Sequence, residues 1–115
     1  MSKAIEAKNK FGKMMCAAAV LTTYADEAGI SKVKAMAMGP AMSGGRMVKC
    51  GAVLAAEEVL KKQAPDKIPE LERRFGEKNG SLLCAELKGR TGGPVLQSCP
   101  GCIEDASVIL EELLG

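Results

Sequence analysis

Apolar residues along the chain recur at intervals of three and four, and alternation of period two is nowhere convincing. From Lys3 to Ala28, Ile5, Phe11, Met14, Met15, Ala18, Leu21 and Tyr24 follow helical spacing, with Ser2 as a cap and Gly29 as a stop. Gly12 is a mild weakness inside this segment. Ser31 caps a second, short helix through Met38; Gly39-Pro40 ends it, and Ser43-Gly44-Gly45 reads as a flexible connection. A third helix runs from about Arg46 to Gln63, with Met47, Cys50, Val53, Leu54 and Leu60 on its buried stripe. After a break at Ala64-Pro65-Asp66, a fourth begins at Asp66 or Lys67, has Pro69 in its first turn and reaches about Phe75. Ser81 caps a helix of one or two turns through Lys88. Gly89 to Gln97 is a Gly/Pro loop, and its Pro94-Val95-Leu96 is the one strand-like piece. Ser98 or Cys99 opens a last helix with Pro100 at its first position, ending at Leu114, with Val108, Ile109, Leu113 and Leu114 on its apolar side. The fold class expected is all-α, a bundle of about five to six helices forming one domain.

Length and composition agree with that picture. The 115 residues suffice for one modest core, and 47% hydrophobic with 26% charged residues is a globular balance. The net charge is +2, and the basic residues are spread along the chain. With one Tyr, two Phe and no Trp there is little to stack on a base, so nucleic-acid binding is disfavoured. The longest apolar run, Met14 to Leu21, is far too short for a membrane span. The opening MSKAIEAKNK has no apolar core of the secretory kind, so the expected location is cytoplasmic.

The candidate chemistry lies in five cysteines, Cys16, Cys50, Cys84, Cys99 and Cys102. In a reducing compartment such a set points to metal binding, catalysis or redox work. The chain contains no histidine. That removes Ser/His/Asp and Cys/His nucleophile pairs and every imidazole-bearing zinc site. On the predicted helices, Cys99 falls at the N-cap of the last one, and Cys102 and Cys84 fall in first turns. Cys50 falls within about a turn of a helix start. Unpaired N–H groups and the positive end of the macrodipole favour a thiolate at such positions. Arg46 and Lys49, close to Cys50 in sequence, add positive potential. Cys16 differs: it falls in mid-helix on the face of Phe11, Met15 and Ala19, where cysteine is a small buried hydrophobe.

Cys99-Pro100-Gly101-Cys102 is a Cys-x-x-Cys at a helix start, the arrangement dithiol oxidoreductases use, although a loop rather than a strand precedes it. The same thiols suit tetrahedral zinc or an iron–sulfur cluster. The seven methionines read as core filler. Gly44-Gly45 lacks the Gly-Lys-Ser/Thr of a phosphate loop, and Glu57-Glu58 and Glu111-Glu112 read as solvated helix faces.

The order of the cysteines resembles the C-GCAxxG-C-C family, small bacterial and archaeal proteins described as redox-active. That pattern has a first cysteine in an apolar helix, here Cys16 in CAAAVL, and then Cys-Gly-Ala-x-x-Gly, here Cys50-Gly51-Ala52-Val53-Leu54-Ala55. A third cysteine follows a Phe-Gly segment, here Cys84 after Phe75-Gly76, and a fourth precedes a terminal helix, here Cys99-Pro100. Ala55 replaces the last glycine of the motif, and Cys102 is additional to the pattern.

Two chemistries are therefore expected of the same residues. In a thiol-based redox protein or electron-transfer accessory, Cys99 attacks or senses, and Cys102, Cys84 or Cys50 resolves. In a metal-binding protein, Cys16, Cys50, Cys84 and Cys99 hold zinc or an iron–sulfur cluster; the dithiol reading needs no cofactor. A helical interaction subunit is the third alternative. The partner expected is a redox protein, a homodimer is compatible with the chain, and neither nucleic acid nor membrane is expected.

Overall fold

Gly12 divides the first predicted helix. Its φ of 104° lies in the left-handed region, which an L side chain avoids, so the backbone turns there. The computed structural model describes residues 3–42, 49–90 and 92–114. Within them α1 spans Lys3–Lys10 and α2 spans Cys16–Thr23, with the turn around Gly12 between them. A further break at Tyr24 separates the four-residue α3, Ala25–Ala28, which Gly29 closes at φ 71°. One predicted helix is thus three, and Cys16 moves from mid-helix to the first residue of α2.

All eight residues of α2 are buried. Its sequence CAAAVLTT is apolar or small on every side, as a helix enclosed by neighbours must be. Thr22 and Thr23 donate their hydroxyls to the Ala18 and Ala19 carbonyls, each at 2.8 Å, which makes two polar groups tolerable there. Helices α1, α4, α5 and α8 pack around α2.

α4 spans Lys32–Met42 and is capped as expected, Ser31 Oγ accepting the Lys34 N–H at 3.1 Å. It does not stop at Gly39-Pro40 but runs through it. A residue before proline is usually driven out of the helical region partly by its own Cβ, and Gly39 has none. Gly39 also lies against α2, where an added Cβ would come within 2.4 Å of the Ala18 Cβ. The glycine therefore permits contact between the two helices. The expected Ser2 cap, the Ser43-Gly44-Gly45 connection, Arg46 and Met47 lie outside the described residues.

α5, Gly51–Gln63, buries Val53, Ala55, Ala56, Val59 and Leu60. A short 3-10 turn, Pro65–Lys67, leads into α6, Ile68–Asn79, which ends about a turn later than predicted and is closed by Gly80 at φ 84°. The four-residue α7 is Cys84–Leu87, and α8 is Cys99–Leu114. The core gathers Leu21, Leu60, Leu71, Phe75, Leu87, Ile103 and Leu110 from five helices, with Tyr24 from the break after α2.

The architecture is all-α, and the described residues contain no strand. Eight helices are present among them, six of eight residues or more, and the predicted five to six fell short because the first predicted helix is three. The strand-like Pro94-Val95-Leu96 is an exposed connection. Methionine is not uniformly filler. Met42 is buried, whereas Met15 and Met36 are 45% and 54% exposed. No helix among the described residues is long and apolar enough to cross a membrane.

Candidate functional site

Two backbone seams assemble the site. In the first, Cys50 N–H donates to the Leu82 carbonyl at 2.8 Å and Lys49 bridges Leu83, so the start of α5 lies against the start of α7. In the second, Leu96 N–H donates to the Leu87 carbonyl at 2.9 Å, which folds the glycine-rich loop back over α7 and delivers Cys99. Ser98 caps α8, its Oγ accepting the Gly101 N–H at 3.1 Å. Cys99 is thus the first helical residue rather than the cap, and Pro100 is the second. Ser81 does not cap α7 directly; Leu83 holds that place, and Ser81 Oγ accepts the Leu83 N–H at 3.0 Å just ahead of it.

These seams bring all five cysteines to one enclosed pocket of about 70 Å³. Its lining is Cys16, Cys50, Gly51, Cys84, Lys88, Arg90, Cys99 and Cys102. Cys16, Cys50, Cys84 and Cys102 are buried, and Cys99 is half-buried. No disulfide joins any two of them. Each also lies at the beginning of a helix: Cys16 and Cys84 open α2 and α7, Cys50 caps α5, and Cys99 and Cys102 share the first turn of α8. Helix-start placement therefore extends to Cys16, which the sequence reading had set apart.

Cys50 and Cys102 hydrogen-bond to one another through their side chains. That bond is the largest influence on Cys50 and lowers its pKa. Burial opposes it, and the Val53 and Ala52 N–H groups and the Lys88 charge act in the same direction as Cys102. The result is a Cys50 pKa of about 6. The Cys102 thiol, which donates to Cys50 and is fully buried, is pushed upward. The two backbone donors at Cys50 add to the preference for charge on that sulfur.

Of the two cations lining the pocket, Lys88 and Arg90, Lys88 has its Nζ 3.7 Å from Cys102 Sγ and donates to the Gln97 carbonyl at 3.1 Å. Burial alone would lower its pKa, but the facing Cys102, Cys99 and Cys50 outweigh burial and raise it. The sequence reading missed it. Its signal was position: Lys88 follows Cys84 by four residues, one helical turn. Lys49, expected to serve Cys50, is instead engaged by Glu72 and Glu57, and Arg46 lies outside the described residues. No carboxylate lines the pocket.

The thiols thus converge on one pocket, where the Cys102 thiol and the Lys88 ammonium favour an ionised Cys50. The metal reading required Cys16, Cys50, Cys84 and Cys99 to share one ion. All four line the pocket, yet among the described residues no three Cys, Asp or Glu side chains are grouped closely enough to hold a metal ion.

No curated protein and no solved structure matches the chain. A family model does, described as "Putative redox-active protein (C_GCAxxG_C_C)", over residues 14–113, a span that holds every cysteine of the pocket and the helices that carry them. The chain belongs to this C-GCAxxG-C-C redox-active family.

Proposed function

We infer that the chain is a thiol-based redox protein that cycles between dithiol and disulfide at the five-cysteine pocket. The observation that carries this reading is the convergence of five thiols from four separate chain segments on one small pocket lined by cations and no carboxylate. Cys99, the least buried of the five, takes the entry role. Its thiolate bonds to one sulfur of an incoming disulfide, and the other sulfur leaves as a thiolate. The Cys50 thiolate then attacks Cys99 Sγ and expels the first substrate sulfur, leaving Cys50 and Cys99 joined. Cys102, beside Cys50, displaces Cys99 and its proton passes to the departing sulfur. The protein has lost two electrons, and the substrate has become two thiols. Lys88 stabilises the negative sulfur at each stage. The cytoplasm, where such thiols stay reduced, is the compartment this reading assigns.

Disulfide mapping by mass spectrometry after mild treatment with hydroxyethyl disulfide tests the reading. A bond within the set Cys50, Cys84, Cys99 and Cys102 is expected, with Cys50–Cys102 the main product. Protein in which none of these pairs oxidises would sink it. So would stoichiometric zinc or iron in anaerobically purified protein that is lost in Cys50→Ser, because the thiols would then be ligands.

A further inference from the structure

The thiol pocket is too small for a substrate. Its 70 Å³ equals the share of roughly two water molecules, enough for a sulfur atom and little more. Beside it lies a second, open groove of about 410 Å³, lined by Phe11, Gly12, Lys13, Met14, Met15, Cys16, Arg90 and Cys99. Cys16, Arg90 and Cys99 line both, so the groove opens onto the thiols at the cysteine that is least buried. Its volume is in the range of small-ligand sites.

The charge of the groove is one-sided. Lys13 and Arg90 line it, and no carboxylate does. Seven of the 16 basic residues are in ion pairs among the described residues. Lys3, Lys8, Lys49, Lys61, Arg73, Arg74 and Lys78 all have carboxylate partners within 4 Å, whereas Lys13 and Arg90 are in none of the ion pairs among the described residues. Both are exposed. Phe11 and Met15, 39% and 45% exposed, supply apolar lining to the same groove.

We propose that this groove binds a small disulfide bearing carboxylates, with Lys13 and Arg90 holding the carboxylates and Cys99 receiving the sulfur. The proposal rests on the dithiol reading above and names its substrate class. A low-molecular-weight substrate fits better than a protein disulfide: the recess is concave, four of the five thiols are buried, and only a slender chain reaches them. In the reaction Cys99 Sγ bonds to one substrate sulfur and the substrate S–S bond breaks. The released half departs as a thiolate and takes its proton from water. The substrate is itself the oxidant.

The test uses the reduced full chain and three small disulfides: dithiodiglycolate, with two carboxylates, neutral hydroxyethyl disulfide, and cationic cystamine. Rates of mixed-disulfide formation at Cys99 are followed by intact-mass spectrometry, each divided by the rate of the same disulfide with free mercaptoethanol. At low salt dithiodiglycolate is expected to exceed hydroxyethyl disulfide by about tenfold and cystamine by more, with the preference fading as salt rises. In Lys13→Gln/Arg90→Gln, two exposed positions whose change leaves helical circular dichroism intact, the anionic-to-neutral ratio is expected to fall toward one. Equal normalised rates for the three disulfides overturn the proposal, as does a preference that survives the double substitution. If Cys99 reacts with none of them, the dithiol reading itself fails; reaction with all three without preference removes only the substrate class.

Discussion

Around Cys50, three donors face a single sulfur. The Cys102 thiol, the Ala52 and Val53 N–H groups and the Lys88 charge all favour the ionised form, and only burial resists them. The resulting pKa of about 6 lies below the ordinary thiol value of 9.0, so the sulfur is mostly ionised at neutral pH and becomes protonated as pH falls through 6. Thiolate ultraviolet absorbance should therefore show one sulfur titrating near pH 6. Cys50→Ser should abolish that step. Cys102→Ala should move it upward by removing the S–H donor, and Lys88→Met should move it upward by a smaller amount. A titration that begins only near 9 in the native protein would contradict the arrangement. The extra cysteine of the family pattern, Cys102, is thus the group with the largest hold on the motif cysteine, Cys50.

At the scale of elements, the helices gathered around α2 depend on small residues. Ala18 and Gly39 bring α2 and α4 into contact with no space between them, so Gly39→Ala must separate the helices or distort one. Overpacking of this kind costs about 1–3 kcal/mol, more than the helix propensity gained by losing a glycine, roughly 1 kcal/mol. The measurement is the chemical-denaturation midpoint, expected to fall in Gly39→Ala and to recover partly in Gly39→Ala/Ala18→Gly. This contact also explains where the sequence misled. Gly39-Pro40 is ordinarily a stop, and only a neighbour that needs the missing Cβ makes it the middle of a helix. The last helix was legible from Ser98 to Leu114 because its cap, its early proline and its apolar stripe are all local. The boundary at Gly12 was not, because one glycine in a helical pattern is tolerable and the turn follows from how α1 and α2 pack on α8. Helix starts marked four of the cysteines correctly. Their meeting point, and the partnership of Cys50 with Cys102, depends on the seams through Leu82 and Leu87, which no local pattern records.

For the molecule as a whole, oxidation should act as a clamp. A Cys50–Cys102 bond would tie the start of α5 to the first turn of α8 and close a loop of about fifty residues, a constraint on the unfolded chain of up to ~4 kcal/mol. Oxidised protein should therefore unfold at higher denaturant than reduced protein, and the difference should vanish in Cys102→Ala. Equal midpoints for the two redox states would mean that the bond strains the fold by as much as it restrains the unfolded chain.

The cysteines are dispersed along the chain, and the pocket draws on its early, middle and late parts. Translation delivers Cys16, Cys50 and Cys84 well before Cys99 and Cys102, so the nascent protein carries three thiols with no S–H donor from α8 and no cover. The charge on Cys50 follows the docking of α8, since its strongest support comes from Cys102. The arrival of the last helix is therefore the folding step that completes the support of the Cys50 charge.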